Sequence, residues 1–365
     1  MCGSDAAQVV VEGDEFMDAA LIILVILTIK DCVFGKQKTQ DEYLSIRNTL
    51  PIKGLFTILI IFSHYVTYYT PQGSDSIYRM LKSHLSQAVV IPYLVYSGYG
   101  MAYRLKQKGK DYLGTILRRR IPQVLLGVAA ALVLFFVLGL LRNQYFSWQT
   151  ILLSLIGWES LGNSNWYIFG IIGEYVIFWI SFQVLRIRDN KQTRLAGLLL
   201  TTLLTAAFVI WIRWMGRPTW FYNTLAMFPL GVAWGLYHEK VDRLLHEKSS
   251  LWLLALAITI GVYELGVLQR NVNLVWYTVF CAAFAVAMLL LSMRIQLNSP
   301  VLDFFGKHVF SVYILQRLFM IILTDWGWTE QKPYLSLILV ILCTSTIAIG
   351  FDWVMDKLYK KLHLK

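Results

Sequence analysis

Residues Arg47–Tyr65 read RNTLPIKGLFTILIIFSHY. The stretch has the length of a membrane-spanning helix, about 20 residues, with Lys53 near its start and His64 deep inside. Eleven positions on a helix are about three turns, so both side chains leave one face, about 16 Å apart along the axis. A titratable group inside a bilayer is costly and is a functional hypothesis by default. The plainer alternative is that Lys53 snorkels to the headgroups and His64 bonds a neighbouring helix.

The rest of the chain supports a membrane setting. Its 365 residues are 57% hydrophobic and 15% charged, against about 25% charged in soluble domains. Ten apolar spans follow the periodicity: 49–69, 85–104, 121–141, 165–185, 195–214, 220–237, 251–268, 274–293, 304–324 and 334–356. The expected fold class is an all-α polytopic integral membrane bundle. An eleventh helix is a candidate at Ala19–Ile29, a run short for a span, behind an acidic start. Segment 146–158 reads as amphipathic or re-entrant. Residues 1–42 form an acidic segment and a basic linker, 43–358 the membrane domain, and 359–365 a basic tail.

The net charge of +11 does not point to nucleic acid, because the cations sit in short connections and no nucleic-acid-binding motif is present. With the chain before the first span cytoplasmic, 25 of the 33 Lys and Arg fall inside and 7 outside, leaving Arg317 in the membrane. That asymmetry favours this orientation. It places Lys53 at the cytoplasmic edge, His64 about two-thirds of the way across, and the C-terminus inside. Cys2, Cys32, Cys281 and Cys343 show no metal or redox spacing. His238-Glu239 and His246-Glu247 lack the H-E-x-x-H spacing, so no metal is expected.

Four further constellations stand out. Arg118, Arg119 and Arg120 open the third span beside Lys106, Lys108 and Lys110. Planar guanidiniums at the mouth of an apolar bundle suit a polyphosphate; attraction to anionic lipid is the competing reading. Ser97-Gly98-Tyr99-Gly100 suits close helix packing. Asn165-Trp166-Tyr167 stands at the start of the fourth span, with Glu174 nine positions below Asn165. A carboxylate at that depth needs a partner, and either Glu174 or Glu264 could orient His64. Arg317 is likewise a cation within a span and needs an acidic or ligand partner.

The pattern Lys53, ten residues, His64, with Tyr43-Leu44-Ser45 before it and Ile61-Phe62-Ser63 leading into the histidine, resembles the signature of the acyltransferase family 3 membrane proteins. Arg118-Arg119-Arg120-Ile121-Pro122 is similar to the family's Arg-rich run entering its third span, though with three consecutive arginines. Ser97-Gly98-Tyr99 and Asn165-Trp166-Tyr167 resemble two looser family stretches. Phe305-Gly306-Lys307 through Tyr313-Ile314-Leu315-Gln316 resembles a late-helix pattern in which Gln316 stands where the family often has His. The chain ends about nine residues after the tenth span, so the esterase-like domain fused to many members is not expected.

The resemblance implies a cell-membrane O-acyltransferase. An acyl-CoA, acetyl-CoA first, would dock its phosphates on Lys53, Arg118, Arg119 and Arg120. His64 would act as base, with Glu174 as its acidic partner. Asn165, Trp166 and Arg317 would bind substrate, a hydroxyl of a cell-surface or lipid-linked glycan. The bilayer is the one further partner, and nothing in the sequence sets an oligomeric state. The competing reading is a multi-pass transporter or flippase for a lipid-linked sugar, although no inverted repeat is visible.

Overall fold

The computed structural model describes residues 16–35, 43–69, 76–184 and 191–364. Cys2, the acidic residues Asp5 to Glu15, Lys36, Lys38, Arg186, Arg188 and Lys365 lie outside the described residues, as do the side chains of Lys191, His246 and Glu247.

The chain is helical almost throughout. Helix α1 (Phe16–Ile29) leads to a two-residue strand, β1 (Val33–Phe34). Helix α2 (Ile46–Tyr65) carries the Lys53/His64 face and is N-capped by Ser45, whose Oγ accepts from Asn48 N. Helix α3 (Ser76–Leu85) passes through a 3₁₀ turn, Ser86–Val90, into α4 (Ile91–Lys108). Helix α5 (Lys110–Leu141) contains a π-turn at Ile116–Arg120. Then come α6 (Trp148–Leu155), α7 (Trp166–Val184), α8 (Lys191–Trp214), α9 (Met227–Glu247), α10 (Ser249–Gln269) and α11 (Leu274–Ser292). The chain finishes with β2 (Ile295–Gln296), α12 (Pro300–Lys307), α13 (Val309–Asp325), α14 (Trp328–Gln331) and α15 (Pro333–Lys361).

Each of the ten expected spans falls on a helix: α2, α4, α5, α7, α8, α9, α10, α11, α13 and α15. Seven are long and apolar enough to cross a membrane, and α12 with α13 makes an eighth if that bent pair is one span. The other two, α4 and α9, end in charged turns. They pack through glycine: a Cβ on Gly98 would meet Phe228 O, one on Gly231 Val95 O, and one on Gly235 Tyr99 O. Gly98 is therefore the packing residue of the Ser-Gly-Tyr-Gly stretch, while nothing lies within 4 Å of a Cβ at Gly100.

Helix α1 has 14 residues, about 21 Å, too short for a hydrocarbon core of about 30 Å. Phe16 nevertheless packs on Tyr65, at the His64 end of α2, with ring centroids 6.1 Å apart. At its other end β1 pairs antiparallel with β2, Val33 opposite Gln296, beside the helix that crosses the Lys53 end of α2. Helix and extended chain together run the length of α2.

That crossing helix is α12. Gly54 of α2 faces the carbonyl of Leu302, and Gly306 faces the carbonyl of Leu50, so the two backbones touch. The chain then turns by 87° at His308 into α13. His308 Nδ1 donates to Asp352 of α15 at 2.5 Å, and Ser311 Oγ donates to the same carboxylate. This latch ties the bend to α15. Gly54→Val forces a branched side chain into the backbone of α12 at a cost of about 3 kcal/mol. The expected outcome is a lower unfolding temperature in detergent and a reduced yield of monodisperse protein, read by size-exclusion chromatography.

Candidate functional site

Position by position, α2 presents Lys53, Thr57, Ile60 and His64 along one face at steps of four, three and four. Thr57 Oγ1 and Tyr93 OH each donate to Lys53 O at 2.8 Å and meet each other at 2.9 Å. A narrow, mainly apolar cavity of about 130 Å³ begins there, lined by Thr57, Ile60, Tyr93, Tyr167, Phe310 and Tyr313 among others. It ends at Tyr313, whose ring lies 6.5 Å from that of His64. The interior between the two ends of the α2 face is thus partly open.

The Lys53 end opens into a basin of about 610 Å³. Lys53, Arg104, Lys108, Arg119 and Arg120 line it, with no carboxylate among the lining residues. A second basin of about 470 Å³ shares Lys53, Gly100 and Arg104 with it. Cations that converge without an acid leave an anion-shaped requirement.

The three arginines are not equivalent. Arg120 points inward, donating to Tyr112 OH at 3.1 Å and to Ser97 Oγ at 3.3 Å, with its guanidinium 4.6 Å from the Tyr175 ring centroid. Arg119 lines the basin rim, whereas Arg118 is exposed and lines none of these cavities. The cause is local. Pro122 has no N–H and its ring crowds the carbonyl of residue 118, so the ladder relaxes into the π-turn. Such turns are a common device at functional sites.

At the opposite end, His64 Nδ1 meets Ser164 Oγ at 3.3 Å. Ser164 is buried in the loop before α7, which folds on itself: Ser160 Oγ donates to Asn163 O, and Gly162, at φ +112°, donates to Ser160 Oγ. The left-handed backbone at Gly162 is one that a Cβ disfavours. Gln316 and Arg317 of α13 face the His64 ring. Arg317 Nε is buried without a hydrogen-bond partner among the described residues. Arg317 stacks on Tyr68 with 5.5 Å to the ring centroid, and no ion pair holds it among the described residues.

Other expected site residues lie elsewhere. Glu174 is fully buried, accepting from Thr205 Oγ1 of α8 at 2.8 Å, and its ten positions below Ser164 correspond to about 15 Å. The expectation that Glu174 orients His64 is corrected: the neighbour on the ring nitrogen is Ser164. Glu264 is exposed, 3.9 Å from His84. Glu174→Gln keeps a partner for Thr205 and is expected to leave turnover within about twofold of wild type. A loss of more than tenfold would restore Glu174 to the mechanism.

Asn165 anchors the loop, its side chain donating to Glu159 O and its carbonyl accepting from Ile168 N at 2.8 Å. Trp166 packs edge-on against Tyr167 at 6.1 Å. The residues that sequence reasoning passed over are Ser164, Tyr313, Tyr93, Ser97 and Tyr175. Only Tyr313 and Ser97 lay within stretches already singled out. The rest reach the site through tertiary contact.

No curated protein and no solved structure matches this chain. The model of the acyltransferase domain family matches residues 52–354. That match covers most of the bundle, from the face of α2 to the last helix. The chain belongs to acyltransferase family 3.

Proposed function

We propose that the protein is an O-acyltransferase that takes an acetyl group from cytosolic acetyl-CoA and passes it to a hydroxyl of a cell-surface or lipid-linked glycan. The observation that carries this reading is the acid-free basin of five cations at the Lys53 end of α2, with an apolar cavity between it and the half-buried His64 whose lining includes Tyr313 beside the imidazole. The donor's phosphates sit on Lys53, Arg119 and Arg120. Its pantetheine arm follows Thr57 and Ile60, and the thioester comes to rest near Tyr313 and His64.

In this reading His64 donates from Nδ1 to Ser164 Oγ, which leaves the Nε2 lone pair free. Nε2 takes the acceptor hydroxyl proton as that oxygen attacks the thioester carbonyl. The carbonyl oxygen gains negative charge, and the Arg317 guanidinium, which no carboxylate holds among the described residues, stabilises it. Collapse releases CoA thiolate, which takes up a proton. The positive-inside asymmetry puts the cation basin in the cytoplasm and His64 toward the far face of the cell membrane. A transporter needs neither the histidine nor the acid-free basin.

Purified protein in detergent with ¹⁴C-acetyl-CoA tests this. Acetyl transfer to glycan, or slow CoA release in its absence, is the expected result. Stoichiometric uptake of sugar into proteoliposomes without CoA release would favour transport. Ser164→Ala is expected to lower kcat about fivefold, the worth of one neutral hydrogen bond, with the KM for acetyl-CoA unchanged.

A further inference from the structure

A separate polar basin of about 440 Å³ lies at the end of the bundle away from Lys53. Gln87 comes to it from the 3₁₀ turn before α4, Arg213 from the last turn of α8, Asn223 from the α8–α9 connection, Arg270 and Asn271 from the α10–α11 turn, and Tyr277 from the first turn of α11. Its level follows from α4, which runs antiparallel to α2. Tyr96 of α4 packs beside Lys53, with Nζ 6.0 Å from the ring centroid, and Val90, one residue before α4, lines the central cavity with Ile60. Ser86 and Gln87 lie one turn further toward the His64 end.

Three observations point to a ligand here. First, no lining residue is acidic. Arg217, four positions beyond Arg213, is held by Glu159 at 2.6 Å, yet among the described residues neither Arg213 nor Arg270 is paired with a carboxylate. Lys and Arg are sparse at this end. Arg270 donates to His84 O at 3.1 Å and lies over the Phe280 ring, and together with Arg213 it lines a basin without an acid, a setting that suits an anion. Second, amide and phenol groups line the same basin: Gln87, Asn223, Asn271 and Tyr277 carry donors and acceptors, with Tyr277 OH donating to Gln87 Oε1 at 3.4 Å. Third, Ser86 holds a left-handed backbone, φ +46°, steadied by Tyr277 OH at 3.3 Å from its Oγ. Strain of this kind in a non-glycine residue costs about 1 kcal/mol or more and clusters at ligand clamps.

The turn Ser86–Val90 is also the partition between this basin and the central cavity. Ser86 and Gln87 face the basin, and Val90 faces the cavity. Five residues of 3₁₀ helix rise about 10 Å, within the reach of one or two sugar units. We infer that the basin docks the acceptor as an anionic saccharide, its carboxylate or phosphoryl group on Arg213 and Arg270 and its hydroxyls on the amides, so that a neighbouring unit extends toward His64. This rests on the reading of His64 as the acceptor's base.

The test uses detergent-purified full-length protein titrated with a galacturonate trimer, the matching neutral galactose trimer and a glycerol phosphate trimer. At least one anionic trimer is expected to bind about tenfold or more tighter than the neutral one; comparing the two separates a carboxylate from a phosphoryl partner. Arg213 is exposed, so Arg213→Glu leaves the fold intact and is expected to abolish the preference while acetyl-CoA binding stays unchanged. Arg270→Gln, which retains a donor for His84 O, is expected to reduce it. Equal binding of neutral and anionic trimers, binding of none, or a preference that survives Arg213→Glu overturns the inference. If acetyl-CoA itself fails to bind the wild type, it is the acyltransferase reading that falls instead.

Discussion

His64→Ala is expected to lower acetyl transfer by about 10²–10⁴-fold, the usual contribution of a positioned general base. Acetyl-CoA binding should persist, because the cations that would hold the phosphates lie about three helical turns away. The measurement is single-turnover transfer from ¹⁴C-acetyl-CoA alongside a separate binding isotherm. His64 sits where a change is costly to function and cheap to the fold: its ring nitrogen meets the Ser164 hydroxyl and no backbone group depends on the ring among the hydrogen bonds of the described residues. Turnover preserved in this variant would remove the imidazole from the chemistry. Loss of binding together with turnover would mean that the substitution damages the bundle.

Arg120→Ala is expected to weaken acetyl-CoA binding by about 10–100-fold, the equivalent of one charge-assisted hydrogen bond to phosphate. Arg118→Ala, at an exposed position outside the basin, should bind as wild type does. The contrast matters more than either value, since a general loss of positive charge would affect both. Arg120 also ties α5 to Tyr112, Ser97 and Tyr175. Arg120→Lys therefore serves as a companion: it keeps the charge and loses the planar fork, and an intermediate affinity is expected. Equal effects at 118 and 120 would place the phosphates on the membrane-facing rim rather than in the basin.

The reading of Arg47–Tyr65 was available without coordinates because helix geometry is local. Eleven residues at a fixed rotation put Lys53 and His64 on one face whatever surrounds them. The apolar run lengths placed ten helices for the same reason, since bilayer thickness constrains them directly. The edges were less legible. The second span begins at Ile91 rather than 85 because Ser86–Val90 forms a 3₁₀ turn, and the ninth is bent at His308 by a latch to Asp352, 44 positions away.

The partners of the buried groups were not legible at all. A carboxylate inside a span announces that it needs a partner, but Glu174 found Thr205 on α8 and not His64. Ser164 stands 100 positions from His64, and neither its type nor its neighbours mark it as the residue that meets the ring. Among three consecutive arginines the sequence offers no ranking. Their separation into inward, rim and outward directions follows from a π-turn that Pro122 favours and from aromatic walls on other helices.

The sequence alone determined that this is a helical membrane bundle, that a lysine and a histidine share a helix face, and that the chain resembles the acyltransferase family it belongs to. Period, run length and charge placement are properties of the chain itself. Tertiary structure alone decided which arginine enters the bundle, what touches His64, and where a cavity remains between the two ends of α2. Those depend on close contact between helices far apart in sequence, through Gly54 against Gly306 and Gly98 against Gly231, and no local pattern encodes which helix a side chain will meet.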